Sequence, residues 1–476
     1  MSMEFQTKFL SKEEIEQIVT RPASEEEVDR CRRNHLLVST REGFFEGAAC
    51  PGSSYFLADG GRKVLDCTSQ AWVLNLGHAS PDLNYAAALQ AQRFVHTWST
   101  YLTDVRVKLC NRLAEVAPGK LKGGKVAVQN RGGGAAIECA VKAAFVARKW
   151  GNRVFVCWRG YHGSSLTTMG ASQRLPMRFE PFGAEHWVKT PYPYCYRCPW
   201  NYEEGLRGRR DPSCSLECLA LVRDHVEYFS SGHPAAFLIE PMMGPGGQVP
   251  APADFLAGLK RLCEENRLAL IYDEAQTGFG RTGEMFAVDW YARHEGVDVS
   301  PDFLCLTKAA AGGYPIGITI AEPKARQLTD YEEHSTFGSP AVSMAAALVN
   351  LEILLKGEVL KNAADRGAQL TKRLLELQDD HPEVGDVRGP GLFVGVEFVK
   401  DPTTREPHNE LLDRVVEGAF KKGVMFGEAM PIMKRTGEMV HDVLKIKPPL
   451  TISEEEVDFA CDVLEDVLRA ALAELN

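Results

Sequence analysis

Hydrophobic positions along residues 85–340 alternate between helical periodicity and short apolar runs. The apolar runs begin at Lys125, Val154, Ala236, Leu268 and Phe303. This alternation is typical of an α/β layer fold with a mainly parallel sheet. Ligands of such folds bind at the carboxyl ends of the strands, so polar residues that close an apolar run are the first candidates for a site. Glu240, Asp273 and Lys308 each close such a run.

The segments on either side of this region predict further elements. Residues 1–40 are polar and helical in pattern, and residues 57–66 have the turn residues of a β-hairpin. After residue 345 the pattern predicts a long helix and then a smaller region of strands and helices. A last helix is predicted to start at Ser453, which is followed by three glutamates.

Composition and charge limit the classes of protein to which the chain can belong. The 476 residues are 45% hydrophobic and 25% charged, as in a globular protein large enough for two domains. A formal net charge of −10 argues against a surface for nucleic acid or anionic membranes. No run approaches the roughly 20 apolar residues of a membrane helix, and no signal peptide is predicted. Thirteen cysteines, an odd number, favour reduced thiols and a cytoplasmic location.

Lys308 closes an apolar run and precedes the small residues Ala309–Gly313, which allow a bulky group to approach the backbone. Burying an ammonium group there costs several kcal/mol, roughly, unless the charge is paired or removed. An imine between the lysine and a carbonyl cofactor such as pyridoxal phosphate (PLP) is one way to accommodate the amine. The alternative is a lysine whose head group reaches solvent from the strand end.

A glycine turn, Gly132–Gly134, precedes a segment in which Ile137, Val141 and Phe145 recur at helical spacing. The turn is therefore predicted to lie at the N-terminus of a helix. Free backbone N–H groups and the positive end of the helix dipole favour a phosphate there. Many glycine turns serve only to pack a helix closely, and the residues alone leave both interpretations open.

Asp273 ends the apolar run 268–273, where a buried carboxylate requires a cation or several hydrogen-bond donors. The pyridine nitrogen of PLP, when protonated, is such a cation, and the ion pair keeps the ring an electron sink. The alternative is an internal ion pair between Asp273 and Arg281. If Glu274 pairs with Arg281, an internal ion pair and the pairing of Asp273 with the cofactor are both satisfied. Tyr161 follows another predicted strand and offers an aromatic face to a flat ring.

Six motifs follow one another along the chain. They are Gly-Gly-Gly-Ala-Ala-Ile-Glu, Tyr-His-Gly, Ile-Glu-Pro-Met-Met-Gly-Pro-Gly-Gly, Asp-Glu-Ala-Gln-Thr-Gly-Phe-Gly-Arg-Thr-Gly, Thr-Lys-Ala-Ala-Ala-Gly-Gly-Tyr-Pro-Ile-Gly and His-Ser-Thr-Phe-Gly. In these motifs and their order the chain resembles the class III (omega) aminotransferases, which are PLP enzymes of fold type I. The resemblance covers roughly residues 40–470, and its glycine turn is most similar to that of lysine 6-aminotransferases.

This resemblance implies an architecture. Fold type I has a large domain, with a mainly parallel sheet between helices, and a smaller α+β domain formed by both termini. We assign residues 1–75 to an N-terminal segment of the small domain, 76–344 to the large PLP-binding domain and 345–476 to the C-terminal small domain. The resemblance also implies a homodimer, or a tetramer, with active sites at the subunit interface.

The resemblance further implies a role for each matching residue. Lys308 is expected to form the internal aldimine with PLP and then to move a proton between substrate and cofactor. Asp273 is expected to pair with the pyridine nitrogen, and Gln276 to lie beside the phenolic oxygen. The other expected cofactor contacts are Tyr161 stacked on the ring, the adjacent His162, Gly133 and Gly134 at the phosphate, and Thr336 at the phosphate of the neighbouring subunit.

Substrate recognition is where the chain departs from the family pattern. Lys445 stands where 4-aminobutyrate-type members have an arginine for a substrate carboxylate, and Glu240 matches the glutamate that pairs with that arginine. A lysine keeps the charge but loses the bidentate fork, so pyruvate is expected to serve at least as well as 2-oxoglutarate. Arg131 and Arg197 are other candidate cations, and Trp72 is a further candidate for substrate contact.

An insertion rich in arginine and proline carries two close cysteine pairs. The pairs are Cys195 with Cys198 and Cys214 with Cys218. Two such pairs match the ligand set of a tetrahedral zinc site. Cysteine spacing of this kind has many other causes, so we expect reduced thiols in a surface loop and no metal.

Taken together, these residues favour an enzyme that transfers an amino group from an amine or amino acid to a 2-oxo acid in two half-reactions. Racemases, epimerases and lyases on the same fold need Lys308 and Asp273 as well, so the catalytic core does not separate these reactions. A third hypothesis is a non-enzymatic protein that keeps the fold. Retention of Gln276 and Thr336 together with the lysine argues against it. Small-molecule substrates are expected, with no nucleic-acid or membrane partner.

Overall fold

The computed structural model of the chain describes residues 7–34, 36, 45–148, 151–173, 185–200, 202, 205–207, 209–229, 233–433 and 437–475. The chain forms two compact units, Met1–Phe45 and Glu46–Asn476. Helices α1 (Lys12–Thr20) and α2 (Glu25–Asn34) belong to the first unit, in agreement with the predicted helical pattern. The Ser11 hydroxyl caps α1 by accepting a hydrogen bond from the Glu14 N–H.

The second unit alternates strands and helices along the chain. Its helices are α3 (Ser69–Trp72), α4 (Pro81–Arg93), α5 (Asp104–Val116), α6 (Gly132–Ala147), α7 (Leu166–Ala171), α8 (Glu217–Tyr228), α9 (Ala253–Glu265), α10 (Ala287–His294), α11 (Ala341–Leu355), α12 (Glu358–Asp380), α13 (Asn409–Lys421) and α14 (Glu454–Leu475). Short 3₁₀ helices lie at Gly119–Leu121, Cys195–Arg197 and Lys308–Ala311. As predicted, the last helix follows Ser453, whose hydroxyl accepts a hydrogen bond from the Glu456 N–H.

Within the described residues, nineteen strands are assigned in chain order. They are β1 (Phe45–Ala48), β2 (Tyr55–Ala58), β3 (Arg62–Asp66), β4 (Lys125–Gln129), β5 (Arg153–Cys157), β6 (Trp187–Thr190), β7 (Pro234–Ile239), β8 (Met242–Met243), β9 (Val249–Pro250), β10 (Ala269–Asp273), β11 (Phe303–Leu306), β12 (Gly317–Ala321), β13 (Val384–Arg388), β14 (Val394–Phe398), β15 (Val424–Met425), β16 (Gly427–Glu428), β17 (Ile432–Met433), β18 (Met439–Val440) and β19 (Val443–Ile446). The predicted hairpin is present as the antiparallel pair β2–β3.

A seven-stranded sheet in the order β4-β12-β11-β10-β7-β5-β6 forms the centre of the second unit. Strand β12 is antiparallel to both of its neighbours, whereas β11, β10, β7, β5 and β6 pair in parallel. The prediction of a mainly parallel sheet is therefore confirmed, and each of the five predicted apolar runs forms one of its strands. Strands β6 and β12 were not predicted.

The sheet lies between two hydrophobic cores. Along β5, Val154 and Val156 pack into one core with the apolar side of α6, while Phe155 packs into the other. Alternate residues of a strand point to opposite faces, so both faces of this strand are buried. Burial on both sides explains why the strands appear in the sequence as continuous apolar runs.

Strands from distant parts of the chain complete the smaller sheets. Strand β15 pairs in parallel with β3, so that Val424 lies opposite Leu65. A second four-stranded sheet has the order β13-β14-β19-β16. The domain boundaries assigned from the sequence, at residues 75 and 344, stay predictions. Among the described residues, no helix combines the length and hydropathy of a membrane-spanning segment.

Candidate active site

A cavity of about 260 Å³ lies where strands β4, β5, β10 and β11 end. Its lining includes Arg131, Gly133, Gly134, Glu138, Tyr161, His162, Asp273, Thr307 and Lys308. The parallel strands explain the convergence, because their carboxyl ends meet at one edge of the sheet. Six residues that the sequence predicted for a cofactor site therefore lie around one space.

Lys308 is separated from the end of β11 by Thr307 and begins a short 3₁₀ helix. Its φ of 48° is in the left-handed region, an unusual conformation for a lysine that indicates a functional constraint. Burial lowers the pKa of the Lys308 amine, and the nearby Asp273 and Glu240 carboxylates oppose this shift. A lowered pKa increases the fraction of free amine, which is the nucleophilic form that reacts with a carbonyl.

Asp273 is paired with His162 in the base of the cavity. The distance between Asp273 Oδ2 and His162 Nδ1 is 2.9 Å, and Asp273 Oδ1 accepts a hydrogen bond of 3.0 Å from the Ala275 N–H. Both side chains are buried. The carboxylate fixes the imidazole with its N–H on Nδ1. The buried Nε2 has no hydrogen-bond partner within the described part of the chain.

The sequence-based alternative for Asp273, an ion pair with Arg281, is wrong, and so is the pairing of Arg281 with Glu274. Arg281 is fully buried and donates to Asn75 Oδ1 and Ser69 Oγ and to main-chain carbonyls. Burial lowers its pKa to about 9. Glu274 instead accepts hydrogen bonds from two N–H groups of α10 and from the Thr277 hydroxyl, and burial raises its pKa to about 7.

The predicted glycine turn begins α6, and Arg131 is its N-cap residue. Gly132 has a φ of 71°, and a Cβ atom at Gly133 would lie 3.0 Å from Thr307 Cγ2. The turn is therefore closely packed, and Gly133 and Gly134 also line the cavity. Backbone N–H groups at the N-terminus of a 16-residue helix face a site that suits a phosphate.

Glu240 and Gln276 lie beside the cavity. Glu240 accepts hydrogen bonds from the N–H groups of Tyr161, at 3.1 Å, and Gly244, at 2.9 Å. Burial, and then the Asp273 carboxylate, raise the pKa of Glu240 to about 7. Gln276 is buried, and its Oε1 has no hydrogen-bond partner among the described residues.

Three lysine amines surround the indole of Trp72. The distance from the ring centroid is 6.0 Å to Lys308 Nζ, 4.7 Å to Lys445 Nζ and 3.0 Å to Lys447 Nζ. Sequence reasoning missed Lys447. Its i, i+2 spacing from Lys445 in an extended chain was the available signal, because such residues share a face.

Glu240 matches the glutamate that pairs with the arginine of 4-aminobutyrate-type members, but it forms no ion pair with Lys445 among the described residues. Lys445 is buried and has no ion pair in the part of the chain that the structure describes. Burial and the charge of Lys308 lower its pKa to about 7, against the opposing effects of Glu428 and Glu240. Arg197, the alternative cation, is bound to Glu397 and Asp442.

Two other predictions concern residues outside this cavity. Thr336 is exposed and does not belong to the cavity lining of its own chain. The cysteines of the insertion are free thiols, and within the described ranges no group of histidine, cysteine and acidic residues is arranged to hold a metal.

The donor set fits PLP. An amine at Lys308 suits its carbonyl, the buried Asp273 anion suits its ring nitrogen, and the start of α6 suits its phosphate. The unpartnered Gln276 Oε1 is a further polar atom close to this group of residues.

A family model described as aminotransferase class-III matches residues 50–468. The chain belongs to the class III aminotransferases. The family uses PLP and has fold type I, so the predicted family, fold class and cofactor are confirmed. The chain is also similar to individual family members of known name or structure.

Two curated relatives resemble the chain over most of its length. It is 32% identical to isoleucine 2-epimerase of Lentilactobacillus buchneri, over 86% of this chain and 87% of that protein. It is 31% identical to adenosylmethionine-8-amino-7-oxononanoate aminotransferase of Methanocaldococcus jannaschii, over 88% of this chain and 91% of that protein. A solved aminotransferase of Bacillus anthracis has a TM-score of 0.80 at 27% identity and covers 94% of this chain and 100% of its own.

Asp273→Asn is expected to fold but to lose at least about 100-fold in turnover, roughly 3 kcal/mol of barrier. The amide retains an acceptor for the Ala275 N–H but has no charge to bind a protonated ring nitrogen. Steady-state turnover, with cofactor content checked by absorbance, measures the effect. Asp289→Asn in α10 is the matched control and is expected to change turnover little. Near wild-type turnover of Asp273→Asn would show that this carboxylate is structural.

Proposed function

We propose that this class III aminotransferase takes an amino group from an amine or amino acid and delivers it to a 2-oxo acid, such as pyruvate or 2-oxoglutarate, in two half-reactions. The observation that supports the proposal is the convergence of Lys308, the Asp273–His162 pair and the start of α6 on one cavity. Bound PLP supplies an electron sink for the carbon that loses its proton.

Each residue has a distinct task in this proposal. Lys308 Nζ would hold the cofactor and would be the base that takes the proton from the substrate carbon. Asp273 would keep a proton on the ring nitrogen, and His162 donates from Nδ1 to hold that carboxylate in place. Gly133 and Gly134 would bind the phosphate through their N–H groups. Tyr161 would contact the ring, and Gln276 would contact its phenolic oxygen.

Similarity to an isoleucine 2-epimerase favours a second candidate, inversion of an amino acid at its α-carbon. Both reactions begin with the same proton removal at Lys308. They differ in where the proton returns, because inversion restores it to the substrate carbon and transamination delivers it to the cofactor.

Half-reactions with a panel of amines and amino acids, run in D₂O without acceptor, separate these candidates. Transamination is expected to convert the cofactor stoichiometrically to its amine form, with a matching amount of 2-oxo product. Deuterated substrate of inverted configuration, formed over many turnovers with an unchanged cofactor spectrum, would establish the epimerase instead. A parallel reaction with Lys308→Ala is the control for uncatalysed exchange.

We also propose a homodimer with active sites at the interface, located in the cytoplasm in keeping with the free thiols. An exposed aromatic surface supports the dimer. The ring centroids of His96 and Phe337 are 5.2 Å apart, and those of Trp98 and His334 are 6.1 Å apart. Trp98 and Phe337 are 56% and 60% exposed, and exposed apolar side chains that cluster mark an interaction surface. Thr336 lies within this surface, as expected for a residue that reaches the neighbour's phosphate.

Mixed dimers of Lys308→Ala and Thr336→Glu chains test this arrangement. Each parent dimer is expected to be nearly inactive, because one lacks the amine and the other repels the phosphate. If Thr336 serves the neighbouring subunit, half of the dimers in an equal mixture contain one intact site, so about a quarter of wild-type activity returns. No recovery in a mixture proven to contain hybrids would place Thr336 in its own subunit or outside the site.

A further inference from the structure

Three buried hydrogen-bond donors near Lys308 have no acceptor among the described residues. They are Lys447 Nζ, Trp72 Nε1 and Arg281 Nε. Lys447 and Arg281 are fully buried, so solvent does not provide the missing partners. A buried donor without an acceptor carries a full desolvation penalty, and native structures rarely leave several together. These three unpaired groups are all donors, so the group that would pair with them is an acceptor.

Negative charge is also lacking around Lys447. Its neighbours Lys445, Arg281 and Lys308 are all basic, and together with burial they lower the Lys447 pKa far below its usual value. Asp66 is the acidic neighbour that opposes this shift. Its carboxylate, however, is already occupied by the His78 imidazole and by the Thr68 N–H and hydroxyl. The missing acceptor is therefore expected to be negatively charged.

This cluster lies beside the amine that performs the chemistry. Lys308, Lys445 and Lys447 all approach the ring of Trp72, at 6.0, 4.7 and 3.0 Å from its centroid. One small substrate molecule would therefore be long enough to place an acidic group at Lys445 and Lys447 and its reacting carbon near Lys308.

We propose that Lys445, Lys447 and the indole N–H of Trp72 form an anion subsite for a second acidic group, carboxylate or phosphate, on the substrate. This inference rests on the proposed aminotransferase function and extends it to a substrate class. With Lys445 as the single cation, pyruvate was expected to serve as amino acceptor at least as well as 2-oxoglutarate. With Lys447 as a second cation we expect the reverse, because two lysines bind separate oxygens of one anion.

Entry to the subsite requires Trp72 to move, since its ring lies over Lys447. The four residues Ser69–Trp72 have φ values between 44° and 69°, a left-handed conformation that is strained for residues other than glycine. This turn is held by the Ser69 hydroxyl, which donates to the Lys447 carbonyl, and by the Gln70 N–H, which donates to Asp66. The strain makes displacement of the turn less costly, and an anion that pairs with Lys447 would compensate for the lost contacts.

Acceptor specificity of the wild-type enzyme and of Lys447→Met is the first test. The rate at which the amine form of the cofactor reacts is measured with 2-oxoglutarate, with 2-oxo-4-phosphonobutanoate and with 2-oxopentanoate. The last compound has the same carbon chain as 2-oxoglutarate but no second acidic group. Lys447→Met is expected to lower kcat/KM about 30-fold for 2-oxoglutarate, the phosphono acid or both, and less than about threefold for 2-oxopentanoate. The two acidic compounds show whether carboxylate or phosphate is preferred. An equal loss with all three would assign Lys447 a structural role.

Ligand binding without turnover is the second test and does not depend on aminotransferase activity. The melting temperature of the PLP-bound enzyme is measured with glutarate and with valerate, which differ by one carboxylate. Glutarate is expected to stabilise the wild type more than valerate, and Lys447→Met should remove that difference. Lys372→Met, at an exposed position of α12, controls for loss of one positive charge.

The outcomes distinguish the proposal from its alternatives. A wild-type enzyme that glutarate stabilises no more than valerate would overturn the subsite even if Lys447→Met failed to fold. A glutarate effect that persists in Lys447→Met would also overturn it and leave Lys445 as the relevant cation. If no amino donor reacts in any half-reaction but glutarate still stabilises selectively, the aminotransferase proposal fails while the anion subsite stands.

Discussion

The structure of this site depends on the burial of the Asp273 carboxylate at the carboxyl end of a central strand. A charge in that position must be compensated, and His162 Nδ1 and the Ala275 N–H provide two of its contacts. Burial raises the pKa of Glu240 and lowers that of Lys308, and the Asp273 charge adds to the first shift and opposes the second. One carboxylate therefore influences the protonation of both neighbours, and a cationic ring nitrogen is the partner that this environment suits.

The sheet explains why these groups meet. Strands buried on both faces leave few places for polar side chains other than their ends, and the parallel arrangement gathers those ends at one edge. The helix that follows β4 adds its N-terminal N–H groups to the same edge. A second set of buried charges is associated with a different sheet, because Lys445 lies in β19 and Lys447 directly follows that strand. Its excess of donors over acceptors distinguishes it from the balanced charges around Asp273.

Much of this arrangement could be predicted from local sequence, and the rest could not for identifiable reasons. Apolar runs predicted five strands of the central sheet because burial on both faces suppresses polar residues. Strand β12 was missed because Gly317–Ala321 is short and contains Thr319 at its centre, so it is not a continuous apolar run. Arg281 was assigned a carboxylate partner, whereas its acceptors come from Asn75, Ser69 and distant carbonyls that only the fold brings together. Lys447 was missed because its i, i+2 spacing from Lys445 does not show that both amines approach Trp72, which comes from a distant part of the chain.

Identification of the lysine that binds the cofactor is the most direct test of the central claim. The purified protein would be reduced with borohydride, digested, and analysed by mass spectrometry for the peptide that carries the reduced cofactor. We expect modification at Lys308 alone, with the same result in a Lys445→Met variant. Modification at Lys445 or Lys447, both of which approach the same tryptophan, would contradict the assignment of Lys308 as the catalytic amine.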